Sequence, residues 1–380
     1  MRYLALLWLV IGLSGCSLFS KDDGTEPMEL VDFEPTVKIE QVWRRSIGSG
    51  QGDGYTRITP VVNGDTLYAA DYQGELYALN RRTGKVQWTK ALDITLSGGV
   101  GLGHEQLLLG TDEGEVLALN SEDGRELWRT QLSGEVMSVP TGDENIVAAQ
   151  TLDGRLTVLN ATNGEVLWFY DNPPPKLTLR GRPSPVITNA AVYAGFSSGR
   201  LMAFNPQNGL ILWEQRVAMP KGRSDLEKMV DIHASPLLRD GILYLSGYQG
   251  RLLAISRSNG RPLWAVDSSS YQEIGLFGDT LYLAKDNSAV AAYNAASGAE
   301  LWRNELMLRR QLTGPAVLGD YAAVADEDGY VHFLNTSDGR FAARVRIDRS
   351  GVRVPLWSDG ELLYVLANDG TLAAYAIAKH

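Results

Sequence analysis

Short apolar runs alternate with glycines and polar turns along almost the whole chain, and their length and period are those of strands, not helices. Residues 75–80 (ELYALN) and 115–120 (EVLALN) carry aliphatic, aromatic and β-branched positions, with glycine upstream and a polar turn such as residues 80–84 (NRRTG) downstream. A second run precedes each of these, as in residues 66–71 (TLYAAD) and 242–247 (ILYLSG). Turns such as 71–74 (DYQG) and 112–114 (DEG) join the two, with glycine free to adopt positive φ. Upstream again, Pro60, Pro140, Pro185, Pro236 and Pro315 open a third run, since proline is tolerated at a strand's first residue. The fourth run ends in tryptophan. Four short antiparallel strands in about 40 residues is the arithmetic of a propeller blade.

The unit repeats. Six copies of one phrase close at Trp88, Trp128, Trp168, Trp213, Trp264 and Trp302; a seventh runs from Gly329 to Ala343, and an eighth starts at Gly370. From Pro60 to Trp88, Pro140 to Trp168, Pro185 to Trp213 and Pro236 to Trp264 the spacing is 28 residues, as it is from Pro315 to Ala343. Such constancy suits a sheet, where a slip of one residue turns every side chain to the wrong face. The pattern therefore predicts an all-β, eight-bladed β-propeller of four-stranded antiparallel blades over residues 37–380. The last copy lacks its fourth strand, whereas Trp43 has the fourth-strand signature (residues 39–43, IEQVW) with no copy before it. Residues 37–46 are expected to complete the last blade and close the ring, pairing edges that would otherwise stay open. An open solenoid is the competing architecture, and it leaves Trp43 without a role. Each Trp is expected to lie buried between neighbouring blades. Ala343 lacks the indole, which predicts the weakest contact after the seventh blade, with Phe341 as a partial substitute.

The N-terminus departs from the repeat. Arg2 is followed by an apolar run over residues 4–13, too short to span a bilayer as a mature anchor, and the run ends in Leu13-Ser14-Gly15-Cys16. This resembles the lipobox of bacterial lipoproteins. It implies a signal peptide over residues 1–15, cleavage before Cys16, acylation of Cys16 with palmitate among the chains, and stable anchoring. Ser17 stands where an Asp would retain the protein in the inner membrane, so the resemblance implies an outer-membrane anchor facing the periplasm. Residues 16–36, charged and proline-containing without a period, are expected to be a lipidated flexible tether.

Composition narrows the chemistry. With 35 basic and 45 acidic residues the net charge is −10, and no Lys/Arg cluster offers a nucleic-acid surface. Cys16 is the only cysteine, which leaves none for a disulfide. The histidines (His104, His233, His332, His380) show no paired ligand spacing, so neither a metal nor a cofactor is expected. Gly195-Phe-Ser197-Ser-Gly199 fits a nucleophile-elbow pattern but falls on a turn between predicted strands, without the helix that motif needs. The glycine-rich residues 48–54 and 98–103 lack the spacing of a phosphate cradle and read as loops. No catalytic residue is assigned.

Variation concentrates between blades. Trp128 to Pro140 is 12 residues and Trp302 to Pro315 is 13, but Trp168 to Pro185 is 17 and Trp213 to Pro236 is 23. The two long connections leave consecutive blades at the same end of the ring, the place where a rigid scaffold carries function. The first holds a stiff Pro173–Pro175 run followed by Leu177, Leu179 and Arg180; the second holds Met219, Met229, Asp231 and His233. Arginine beside exposed aliphatics is the composition of a binding hot spot.

The repeated phrase resembles the repeat of pyrroloquinoline-quinone enzymes, and with a lipobox, this length and no second domain the chain resembles the BamB family of lipoproteins. That resemblance implies a non-enzymatic subunit of the Bam complex, which docks on a POTRA domain of BamA and assists folding and insertion of unfolded outer-membrane protein clients. In that family a Leu-x-Leu-Arg-Gly loop and a nearby Asp-x-Asp pair make the contact. Leu177-Thr-Leu179-Arg180-Gly181 matches the first, and Asp231 matches the opening Asp of the second; His233 stands where the other Asp is expected. Two alternatives remain open: a scaffold for another envelope partner, and a quinone-dependent dehydrogenase, whose vicinal cysteine pair this sequence lacks.

Overall fold

The computed structural model describes residues 24–378 except 55, 180–182, 220–222, 225 and 228, so Cys16 and Arg180 lie outside the described residues. Eight sheets form eight blades: residues 61–91, 96–131, 141–171, 186–216, 237–267, 275–304 and 316–346 make blades 1 to 7, and residues 357–377 with 39–46 make blade 8. Within each blade the strands follow chain order from the axis outward and pair antiparallel. Blade 8 is the exception the sequence announces. Ile39–Ser46 pairs antiparallel with Thr371–Ile377, setting Trp43 opposite Ala374, so the first strand completes the last sheet.

Blade 2 corrects one expectation. Residues 98–102 are not a loop, because they belong to Leu96–Leu102, the first of the blade's four antiparallel strands, and Arg57–Ile58 adds a fifth, parallel strand to it. The glycines are there because the chain entering blade 3 presses on this strand. A Cβ at Gly98 would strike the carbonyls of Ser138 and Val136, and one at Gly101 would strike that of Pro140. A periodic apolar pattern cannot announce a strand whose side chains a neighbour has excluded.

The tryptophans lock blade to blade. Trp128 of blade 2 donates its indole N–H to Ala161 O of blade 3 at 2.8 Å, and the same bond recurs from Trp168 to Pro206 O (2.8 Å), Trp213 to Arg257 O (3.0 Å), Trp264 to Ala295 O (2.9 Å) and Trp302 to Thr336 O (2.8 Å). Trp43 does so across the closure, to Arg81 O at 2.9 Å. The indole face covers the glycine of the next blade's outer turn. At Gly164 (φ +73°) an added Cβ would enter the Trp128 ring, and Gly84 stands in the same relation to Trp43. The tryptophan that closes one copy of the phrase thus meets the outer-turn glycine inside the next copy.

Blade 7 has no tryptophan, yet Ala343 is only 4% exposed. Val352, Leu356 and Tyr375 pack with it, joined by Val37 and Ile39 from the N-terminal side. The stretch expected to be a free tether is in fact laid along blade 7 from Glu26 onward. Met28 N donates to Leu308 O (3.0 Å), Arg344 reaches Val31 O (3.0 Å), Phe33 stacks on Phe341 (5.1 Å between centroids) and Thr36 N donates to Ala342 O (2.9 Å). Composition suggested disorder because the segment's few apolar residues, Met28, Leu30, Val31 and Phe33, have no period of their own; the stretch finds partners only on the assembled blade.

Beneath this segment lies a buried polar cluster. Asp326, fully buried, accepts from Arg310 Nε (2.8 Å) and His332 Nε2 (2.9 Å), while Arg344 Nε donates to His332 Nδ1 (3.1 Å). Arginine can only donate, so Nδ1 accepts and the ring proton sits on Nε2, leaving His332 neutral. Burial, helped by the charges of Arg344 and Arg310, lowers the His332 pKa. Burial opposes ionisation of Asp326 too, but its bonds from His332 and Arg310 outweigh that and hold its pKa below the usual value.

Trp128→Ala should lower stability by about 3–5 kcal/mol in urea unfolding. Gly164→Ala, although it adds an atom at a surface turn, should destabilise as well, because it strains φ and displaces the same indole. A Gly164→Ala variant as stable as the parent would separate the glycine from the lock.

His332 has a folded pKa below its ordinary 6.5, so the stability it contributes is complete above that pH and is lost as pH falls. Asp326 acts in the same direction only below 3.8. Unfolding free energy should therefore decline from about pH 6.5 downward, at no more than about 1.4 kcal/mol per pH unit from this one group. His332→Gln, which keeps a donor and an acceptor, should flatten that slope in denaturant titrations at pH 5 to 7.

Candidate docking interface

The two long connections run from residue 172 to 185, between blades 3 and 4, and from 217 to 236, between blades 4 and 5. They are tied together by Asp231. Its backbone bridges to Tyr248 of blade 5, its side chain is wholly buried, and its Oδ2 accepts the backbone N–H of Leu179 at 3.0 Å. A carboxylate from one loop thus fixes the backbone of the other. The charge-assisted bond is of the stronger class, and a proline-stiffened approach over Pro173, Pro174 and Pro175 lowers the entropy of ordering the loop.

The four described residues assigned from sequence take three kinds of position. Leu177 is 41% exposed at the loop's outer turn. Leu179, half-buried, and His233 turn toward the ring axis, where they line a cavity of about 470 Å³ with Met137, Tyr271 and Val354. The His233 ring stands edge-on to Tyr271 at 6.2 Å, and its carbonyl accepts from Arg57 at 3.2 Å. Asp231 does not offer its carboxylate to solvent, so its place is that of a support and not of an exposed acceptor. Two further apolar side chains are exposed on the second connection, Met219 at 48% and Leu226 at 67%. Beside them Glu227 caps the turn by accepting from the backbone N–H groups of Ser224 (2.9 Å) and Arg223 (2.7 Å), bonds that lower its pKa.

Sequence reasoning missed the floor of the axial cavity. Arg57, from the strand added to blade 2, pairs with Glu273 at the entry to blade 6, and Glu273 also accepts from Ser235 N at 2.8 Å. Blades 2 and 6 are opposite one another in a ring of eight, so this ion pair spans the axis. Neither residue occupies a repeated position of the phrase, and nothing in a linear pattern brings them together. Among the described residues no group of three or more His, Cys, Asp or Glu side chains is placed to hold a metal. Ser197 is buried in a hairpin turn between Val192–Phe196 and Arg200–Phe204.

With this geometry in place, comparison with known proteins is decisive. The family model described as outer membrane protein assembly factor BamB matches residues 39–96, 93–291 and 286–379. The chain belongs to the BamB family. Among curated relatives, the BamB of Pseudomonas aeruginosa is 41% identical over 376 residues, covering 99% of both chains, and that of Yersinia pestis is 32% identical over 381 residues, covering 96% and 95%. The crystal structure of BamB from Moraxella catarrhalis superposes with a TM-score of 0.81 at 24% identity, covering 89% of this chain and all of that one. Quinohemoprotein alcohol dehydrogenase from Comamonas testosteroni shares the propeller as well, with a TM-score of 0.68 at 14% identity over 92% and 78% of the two chains. That likeness concerns the fold alone.

Asp231→Ala should free the first loop from its anchor. Amide exchange at Leu179 is expected to accelerate, and stability to fall by about 1–3 kcal/mol as the loop N–H loses its acceptor. Unchanged exchange at Leu179 would show that the loop is held by other contacts.

Proposed function

We propose that this BamB-family protein is a non-catalytic scaffold subunit of the outer-membrane β-barrel assembly complex, anchored by acylated Cys16 and facing the periplasm. Its loops between blades 3 and 5 dock on a POTRA domain of BamA, and the ring assists folding and insertion of outer-membrane protein clients. The observation that carries the docking assignment is the Asp231–Leu179 bond, which holds the 177–179 segment as a pre-ordered element with Leu177 outward. Pre-ordering removes part of the entropy cost of association. Leu177 and Leu179 supply apolar area, Arg180 supplies a charge-assisted contact, and Asp231 is a positioning residue. His233, where the family motif has an acid, sits at the cavity mouth beside them.

An axial enzyme site fits less well. The Arg57–Glu273 pair occupies the axis, and the sequence has no cysteine besides Cys16.

Leu177→Asp and Arg180→Glu should each weaken binding to a POTRA-domain fragment of BamA by about 2 kcal/mol or more, roughly 30-fold, in calorimetry, with the unfolding midpoint unchanged. Parent-like affinity in both variants would refute the placement of the interface.

A further inference from the structure

The closing strand begins at Ile39, near the end of blade 7's outer strand where Phe341 and Ala342 lie. That is the end of the ring away from the inter-blade loops, since each outer strand runs toward its connection to the next blade. A leader leaving the ring directly from Ile39 would therefore emerge opposite the docking loops. It does not leave there. From Val37 back to Glu26 the chain retraces the full height of blade 7, passing Ala342, Phe341 and Arg344 in turn, to reach Leu308, Arg309 and Arg310 in the connection between blades 6 and 7. That connection shares its end with the docking loops: Gln311 lines the same axial cavity as Leu179 and His233.

We propose that residues 26–37 are a strap that decides which end of the ring faces the lipid surface. It carries the anchored N-terminus to the rim that bears Leu177 and the Asp231 loop. The inference rests on the acylation of Cys16 assumed above. Its mechanism is geometric. Ten residue-to-residue steps lead from Cys16 to Glu26, a length that reaches at most about 36 Å even when fully extended. If the strap were loose, the free chain would extend from Cys16 to Ile39, 23 steps or at most about 83 Å, and would depart from the other end. Docked, it leaves the rim of blades 6 and 7 on a short lead.

The contacts suit a lasting hold and not a chance contact. Arg310 bonds the Met28 carbonyl at 3.0 Å while its own charge is held by Asp326 and Asp328. Arg344 bonds the Val31 carbonyl while its guanidinium lies 5.0 Å from the Phe33 ring centroid and 5.3 Å from that of Phe341. Both arginines are fixed from below by the Asp326–His332 pair, so the donors are set in place before the strap arrives.

The test uses the full lipidated chain in vesicles containing a headgroup quencher. Glu113→Cys and Glu122→Cys place a dye on the same blade at opposite ends, Glu113 at the docking-loop end, and the acylated Cys16 does not compete for label. The expected result is at least threefold stronger quenching at position 113 than at 122, with that difference lost when residues 26–35 are replaced by a Gly/Ser sequence of equal length, and reduced in Phe33→Ala. Equal quenching at both ends of the parent, or a difference that survives the replacement, overturns the proposal. So does coil-like amide exchange at Met28 and Thr36 in the unmodified chain. Intact mass reads acylation of Cys16 separately, so a failure of the anchor is distinguished from a failure of the strap.

Discussion

The structure depends on one contact made again and again: in every blade but the seventh, a tryptophan from the outer strand lies on a glycine in the outer turn of the next. The indole N–H meets a carbonyl of that turn, so a large apolar ring is buried without leaving its one polar group unpaired. Glycine is required because the turn needs positive φ and the ring needs the space of the missing Cβ. Seven of the eight junctions are thereby set at a fixed offset, and the eighth, after blade 7, is packed around Ala343; together they close the ring.

A ring built in this way leaves little freedom inside a blade and much between blades. The two long connections can vary in length and composition because they displace nothing in the core. What makes them more than loops is Asp231, a buried carboxylate whose Oδ2 accepts a backbone N–H of the neighbouring loop. Rigidity passes from the blades to Asp231 and from Asp231 to Leu179, and the exposed Leu177 inherits it.

Where the repeat breaks, the N-terminal chain takes over. Trp43 supplies the indole that the last blade would otherwise lack, and residues 26–37 cover the blade that has Ala343 in place of tryptophan. Closure and strap are continuous in sequence, so the element that shuts the ring also steers the leader. The polar cluster of Asp326, His332, Arg310 and Arg344 belongs to this junction; its arginines serve the interior with one nitrogen and the strap with another.

Sequence alone determined the blade count, the closing role of the strand around Trp43 and the location of the long loops, because each follows from spacing, and spacing is local information that a period repeats until it is unmistakable. The exposure of Leu177 was legible for a related reason, since its loop interrupts a spacing otherwise kept, whereas the turn of Leu179 toward the axis was not. Tertiary structure alone decided that Asp231 turns inward, that Gly98 and Gly101 lie in a strand, that Arg57 meets Glu273 across the axis, and that an aperiodic segment is bound to blade 7. Each of these is a contact between residues far apart in the chain whose partners exist only once the ring has closed, and no pattern along a line encodes a surface that assembly creates.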